Sequence, residues 1–147
     1  MLRYAGGARG MLWTSQVAPG NENALRIRVF GDKGGLEWHQ EHPNHLRFAP
    51  YGGPPRTIAR AAPGAGETAA HASRTPSGHP EGYLEGFANL YRDLAEVISA
   101  RLQGRKPDPM ATHCPTVEDG ARGIKFIIAA IESSAKGGAW VDVRLVL

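Results

Sequence analysis

The chain has 147 residues, of which 41% are hydrophobic, and this is enough for one folded unit with a single core. Its 17 basic and 14 acidic residues give a net charge of +3, spread along the sequence without a block of like charge, which argues against nucleic-acid binding. Cys114 is the only cysteine, so an internal disulfide and a multi-cysteine zinc site are excluded and a reducing, cytoplasmic setting is favoured.

Neither a membrane span nor a secretory signal is indicated by the apolar residues. No apolar run approaches the roughly 18 residues that a membrane helix needs, and the first residues lack the continuous apolar stretch of a signal peptide. We therefore expect a soluble protein without a membrane partner.

The first elements of the chain have the patterns of strands. Leu2 to Ala5 and Arg9 to Val17 flank a Gly6-Gly7-Ala8 turn, which predicts an antiparallel hairpin. Nothing stands before Leu2 to pair with that first strand. We therefore expect that sequence is missing on this side of the domain.

A second hairpin is predicted further on. The residues from Leu25 to Phe30 alternate between two faces, the glycine-rich turn Gly31 to Gly35 follows, and Leu36 and Trp38 continue the alternation. Shorter strands are predicted at Leu46 to Phe48 and at Arg56 to Ala61. Sequential strands with short links favour an antiparallel sheet.

The second half has helical patterns. Ala61 to Gly82 has no hydrophobic period and is predicted to be a long loop. Tyr83 to Gln103 has apolar residues at steps of three and four, which predicts an amphipathic helix. A second helix begins after Thr116, its predicted N-cap, and we expect a last strand from Ala139 to Leu145.

This order predicts an α+β fold. We expect a mostly antiparallel sheet with the two main helices packed on one face, while the other face is available for oligomerisation. One domain should span residues 1–147.

The histidines and the cysteine are weak candidates for catalysis or metal binding. His39, His42 and His45 are three residues apart, but Pro43 argues against the helix that this spacing would need, so exposed turn histidines are favoured over a metal site. His113 and Cys114 have no Asp or Asn placed to orient them as a nucleophilic pair. We assign no catalytic residue and no metal ligand.

His79 is the most informative titratable residue. It ends the long loop next to a helix N-terminus, where an imidazole can donate a hydrogen bond to a substrate hydroxyl or take up a proton. The alternative is a histidine that only hydrogen-bonds its own turn. No glycine-rich pattern of a nucleotide-binding loop occurs, so no cofactor site is assigned.

Four stretches together resemble a known family. They are Gly6 to Gln16 (GGARGMLWTSQ), Leu25 to Trp38 (LRIRVFGDKGGLEW), Gly78 to Tyr83 (GHPEGY) and Val117 to Gly123 (VEDGARG). In this order they resemble the C-terminal domain of the glucose-fructose oxidoreductase, inositol dehydrogenase and rhizopine-catabolism (Gfo/Idh/MocA) family. The resemblance covers nearly the whole chain.

The resemblance implies a substrate-binding and oligomerisation domain of an NAD(P)-dependent oxidoreductase that acts on a sugar, an inositol or a related polyol. The family's dinucleotide-binding domain and its catalytic Lys, Asp and His motifs do not occur in this sequence, so we expect no NAD or NADP binding and no activity from this chain alone. By resemblance, Asn21, Asn23 and His79 are the expected substrate-binding residues. A homo-oligomer through the sheet face opposite the helices is also implied. The alternative is a non-catalytic, self-associating sheet domain.

Overall fold

A computed structural model describes residues 1–145 of the chain. The strands are β1 (Leu2–Arg3), β2 (Arg9–Gly10), β3 (Arg26–Gly31), β4 (Gly34–His39), β5 (His45–Pro50) and β6 (Arg56–Ala59). The helices are α1 (Gly66–His71), α2 (Tyr83–Leu102), a 3₁₀ helix (Pro109–His113) and α3 (Val117–Ala135). The α+β fold class is thereby confirmed.

The chain divides into two compact units. Unit 1 contains Met1–Gly66 and Thr75–Pro80, and therefore all six strands. Unit 2 contains Glu67–Arg74 and the chain from Glu81 onward, and therefore the helices apart from the first residue of α1. That residues 1–147 form one domain, and that the two main helices cover one sheet face, stay predictions.

Strands β3 to β6 form an antiparallel sheet in which every strand pairs with the next one along the chain. The register aligns Ile27, Trp38, Leu46 and Ile58 in one row across the four strands. Because side chains alternate between faces, this row lies on an apolar face, and the neighbouring row lies on a polar one. The predicted antiparallel sheet is therefore present.

The turn between β3 and β4 consists of two residues, Asp32 and Lys33, closed by the pair Gly31 and Gly34. Gly34 has φ of +152°, and a Cβ at this position would lie 2.5 Å from the carbonyl oxygen of Ala49. The β5 backbone therefore approaches too closely for any side chain at position 34.

The predicted strand from Arg9 to Val17 is wrong beyond Gly10. Only Arg9 and Gly10 pair, because the opposite strand, Leu2–Arg3, has only two residues with which to pair. The segment after Gly10 lies outside any strand, and Trp13 is 71% exposed. Its alternating pattern alone was insufficient to form a strand without a longer partner.

The two long helices are confirmed, with local reasons for both starts. At α2 the carboxylate of Glu85 accepts a hydrogen bond from the Gly82 N–H, 2.8 Å away. At α3 Thr116 and Asp119 form a capping box, in which the threonine hydroxyl accepts from the Asp119 N–H and the aspartate accepts from the Thr116 N–H. Thr116 is thus the N-cap that the sequence predicted.

Two predictions for the irregular segments are wrong. The stretch 61–82 is not entirely loop, because α1 occupies Gly66–His71; six residues are too few to show a hydrophobic period. Ala139 to Leu145 forms no strand, and Asp142 and Arg144 instead close a local ion pair with bonds of 2.5 to 3.1 Å. No strand among residues 1–145 pairs with that segment.

Large side chains are poorly buried in both units. Among residues 1–145, the buried hydrophobic residues are Ala100, Ala111 and Ala129, all in unit 2. In the sheet, Ile27 and Val29 are 53% and 58% exposed. Apolar surface of this extent on both units is surface that a partner can cover. No helix within residues 1–145 is long and apolar enough to span a bilayer.

Candidate functional site

In unit 1, Arg60 fixes the turn that contains His79. Its Nε donates to Asn44 Oδ1 at 2.9 Å, and its Nη atoms donate to the carbonyl oxygen of Thr75 at 3.0 Å, the Thr75 hydroxyl at 3.0 Å and the carbonyl oxygen of Pro76 at 3.4 Å. It also donates to the carbonyl oxygen of His79. One guanidinium, directly after β6, therefore joins both ends of the turn to Asn44, the residue before β5.

The imidazole of His79 takes no part in this hydrogen-bond network. The turn uses the backbone of His79, whose N–H donates to Pro76 O at 3.2 Å and whose carbonyl accepts from the Thr75 hydroxyl at 3.1 Å. The exposed side chain makes no hydrogen bond within residues 1–145. The backbone of His79 is thus held by hydrogen bonds while its side chain is exposed.

Asn21 and Asn23 lie in the exposed loop before β3. The Asn21 N–H and Nδ2 both donate to Ala18 O, at 3.1 and 3.3 Å, while no hydrogen bond from Asn23 occurs in the described part of the chain. The loop ends at Ala24, which has φ of +52° and whose N–H donates to Glu41 Oε1 at 2.5 Å. Glu41 is therefore a positioning residue for this loop.

The three predicted site residues share unit 1, but no hydrogen bond joins Asn21 or Asn23 to His79 in the described structure. Their role in substrate binding stays a prediction. Sequence reasoning missed Arg60 and Glu41. Arg60 contacts residues 15 to 19 positions away in sequence, and Glu41 contacts a residue 17 positions away. A pattern of neighbouring residues cannot predict contacts of this range.

Unit 2 has a polar cluster around Asp93. The Nε2 of His71 lies 3.0 Å from Asp93 Oδ1, and Arg92 donates to the same oxygen through Nε at 3.1 Å and Nη2 at 3.0 Å. Burial raises the pKa of Asp93, but the hydrogen bonds from His71 and Arg92 outweigh burial and lower it. The cluster therefore holds an ionised carboxylate at the end of α1.

A groove adjoins this cluster. Asn89 donates to Ala72 O at 2.6 Å and accepts from Arg74 Nε at 3.0 Å, so the segment after α1 is fixed on α2. The groove has a volume of about 870 Å³, is widely open, and is lined by Ser73, Arg74, Ala88, Tyr91 and Arg92. Its lining is mostly apolar, and the carboxylates of Glu81, Glu85 and Asp93 lie near its two arginines.

The described residues do not fit a nicotinamide dinucleotide. Such a cofactor places its pyrophosphate at a helix N-terminus that follows a parallel strand. Every strand pair within residues 1–145 is antiparallel, and no helix begins directly after a strand through a glycine-rich turn. The same residues contain no group of three His, Cys, Asp or Glu side chains arranged to hold a metal ion.

Comparison with known proteins places this geometry in a family. Residues 1–143 match the model described as the oxidoreductase family, C-terminal alpha/beta domain. The chain is 30% identical over 146 residues to the uncharacterized oxidoreductase YfiI of Bacillus subtilis (strain 168), covering 98% of the chain and 37% of YfiI.

Solved structures give the same result. An oxidoreductase from Sinorhizobium meliloti is 53% identical with a TM-score of 0.86, over 92% of this chain and 37% of that one. An inositol dehydrogenase homolog from Azotobacter vinelandii, complexed with NADH and myo-inositol, is 33% identical with a TM-score of 0.84, over 95% of this chain and 37% of that one. The chain thus spans a little over a third of the length of these relatives.

Proposed function

Since the chain belongs to the Gfo/Idh/MocA oxidoreductase family and matches its C-terminal α/β domain, we propose that it is the substrate-binding and self-associating domain of an NAD(P)-dependent oxidoreductase. The substrate is a sugar, an inositol or a related polyol. The match over residues 1–143 carries this proposal. The myo-inositol complex of the A. vinelandii homolog supports the substrate class.

The chemistry of the predicted site residues supports a polyol. The amides of Asn21 and Asn23 and the imidazole of His79 each combine a donor with an acceptor, and a hydroxyl does the same. All three side chains are exposed on backbone that other residues fix, namely Arg60 for His79 and Glu41 for the asparagine loop. A site of this kind distinguishes substrates by the number and placement of their hydroxyls.

NAD or NADP would bind to the dinucleotide-binding domain of the family, because the antiparallel strands of this chain offer no place for the pyrophosphate. The described chain therefore contributes substrate binding, and hydride transfer requires the cofactor domain of the family. We expect no dehydrogenase activity from the chain alone.

Self-association through the four-stranded sheet is the second part of the proposal. It is supported by the exposure of both sheet faces: Ile27 and Val29 are more than half exposed on the apolar face, and Phe30 is 75% exposed on the polar face. Sedimentation velocity tests this part, and a monomer at tens of micromolar would contradict it.

Calorimetric titration of the chain with myo-inositol and other polyols tests substrate binding. We expect saturable binding and a rise in the thermal midpoint, since a ligand that binds only the folded state stabilises it. The His79→Ala, Asn21→Ala and Asn23→Ala variants should each bind about 3- to 10-fold more weakly, the effect of losing one hydrogen bond.

His42→Ala is the matched control, because His42 is an exposed turn histidine in the same unit. Its affinity should equal that of the wild type. Binding that is equal in all four variants would contradict the assigned site. Absence of any polyol effect, together with a stable dimer, would favour the alternative of a non-catalytic interaction domain.

A further inference from the structure

The four-stranded sheet contains the net charge of the whole chain. Strands β3 to β6 include four arginines and a single carboxylate, Glu37. Setting these five residues aside leaves 13 of the 17 basic and 13 of the 14 acidic residues, so the rest of the sequence is neutral. The charge that is dispersed along the sequence is therefore concentrated by folding.

Three of the four arginines lie on the polar face of the sheet. The register pairs Arg28 with Glu37 and Glu37 with Arg47, in one row across β3, β4 and β5. Arg26 pairs with His39 in the row beside it. Side chains opposite each other on neighbouring strands are about 5 Å apart at Cβ, so the face contains three guanidinium groups around one carboxylate.

That carboxylate is already shared. Arg26 and His39 both bind Glu37 Oε1, the histidine at 2.9 Å, and Arg47 Nη1 lies 3.7 Å from Oε2. The hydrogen bond from His39, followed by that from Arg26, lowers the pKa of Glu37, so it is ionised. Glu37 cannot neutralise a second arginine fully.

Arg28 has no carboxylate partner in the described part of the chain. Its guanidinium lies over the ring of Phe30, 6.0 Å from the centroid, and both side chains are exposed. Arg26 and Arg47 also keep 46% and 55% of their side-chain surface exposed. Guanidinium groups in this state can form paired hydrogen bonds with an oxyanion.

From this we infer that two copies of the chain meeting through the polar sheet face take up oxyanions, such as phosphate, between their arginines. The inference rests on the self-association proposed above. Each copy offers Arg28, which has no carboxylate partner among the described residues, and the exposed Arg26 and Arg47, whereas Glu37 is only 16% exposed and is already shared. Two copies therefore bring six guanidinium groups and two carboxylates, and an oxyanion is needed for the two faces to meet.

The excess of arginines over carboxylates between the two copies means that the ligand should be an anion. Four guanidinium groups would be left without a counter-charge in the interface, and unpaired charges removed from water are costly. Phosphate or a carboxylate ligand supplies negative charge with oxygens that match the guanidinium fork, whereas chloride offers only charge. The site is complete only when both copies contribute to it.

Sedimentation velocity of the 147-residue chain tests the inference, with inorganic phosphate as the probe and chloride as the comparison. At an equal ionic strength of about 0.15 M, both salts screen charges to the same extent. A difference in dimer affinity between the two salts therefore reports specific binding of phosphate. We expect the dimer to be about tenfold tighter in phosphate. Arg28→Gln and Arg47→Gln should each remove most of this difference.

Arg101→Gln is the control, because Arg101 is exposed on α2 and has no side-chain partner among the described residues. It should keep the full phosphate effect, and circular dichroism should show that all three variants are folded. Equal dimer affinity in the two salts, or a phosphate effect that survives Arg28→Gln, would overturn the oxyanion site while leaving self-association in place. A monomer in both salts would overturn both.

Discussion

The sheet unit and helix α3 are stabilised by polar contacts of very different range. In the sheet unit, Arg60 joins residues that are 15 to 19 positions away in sequence. In α3 the contacts are between neighbours: Thr116 with Asp119, and Lys136 with Glu132. The polar contacts of α3 can therefore form from neighbouring residues alone, whereas the turn of His79 is held by residues that only the folded sheet unit brings together.

Replacing Arg60 should have the largest effect in this comparison. Arg60→Ala removes the hydrogen bonds to Asn44, Thr75, Pro76 and His79, of which those to Asn44 and Thr75 are half-buried. We expect a loss of about 2–3 kcal/mol in the free energy of unfolding, measured by urea denaturation. Polyol binding should weaken as well, because the turn of His79 is released.

Arg56→Ala is the matched control for this prediction. Arg56 lies on the neighbouring strand β6, where its guanidinium stacks over Phe48 at 5.2 Å. Loss of that contact should cost about 0.5–1 kcal/mol. An Arg60 variant no less stable than the Arg56 variant would refute the long-range role of Arg60.

The helix side of the comparison is tested by its N-cap. Thr116→Ala removes the hydroxyl that accepts from the Asp119 N–H, and we expect α3 to lose about 1 kcal/mol of stability. Hydrogen exchange of the amides in the first turn of α3 should measure the change. Thr116→Ser should restore the protection, and protection lost equally in both variants would show that the hydroxyl is not responsible.

The smallest effect concerns pH. The hydrogen bond from Arg105 lowers the pKa of Glu96 from 4.5 to about 2. A lowered pKa in the folded state means that this ion pair stabilises the protein fully above pH 4.5, and that the contribution is lost as the pH falls toward 2. Glu96→Gln should flatten the pH dependence of the free energy of unfolding in that window.

Glu22→Gln provides the reference for this titration, because Glu22 lies in an exposed loop and has no ion pair among the described residues. The loss of pH dependence in Glu96→Gln should exceed any loss in Glu22→Gln. A profile for Glu96→Gln that matches the wild type would show that the pair with Arg105 does not form in solution.

The same difference in range explains what the sequence could predict. The start of α3 at Thr116 and the length of α2 follow from local patterns, and both predictions are confirmed. The strand predicted for Arg9 to Val17 fails because its pattern is local but its pairing is not. Helix α1 was missed because polar contacts to α2 hold it, and no buried side chain of its own does.

The candidate site likewise has one part that the sequence predicted and another that only the fold reveals. The position at the end of the long loop and the family resemblance indicated His79, and the structure places it on a hydrogen-bonded turn with an exposed imidazole. The contacts that fix the site, made by Arg60 and Glu41, depend on strand pairing and could not be read from neighbouring residues. The concentration of the arginines on one sheet face also required the register of β3, β4 and β5.

The close approach of β5 to the β3–β4 turn also restricts how this sequence can diverge. A side chain at position 34 would meet the Ala49 carbonyl oxygen at 2.5 Å, whereas the side chain of Lys33 is exposed beside it. Relatives that keep this hairpin must therefore retain glycine at position 34, while position 33 can accept many residues. Two adjacent positions in one turn thus differ sharply in the substitutions they tolerate.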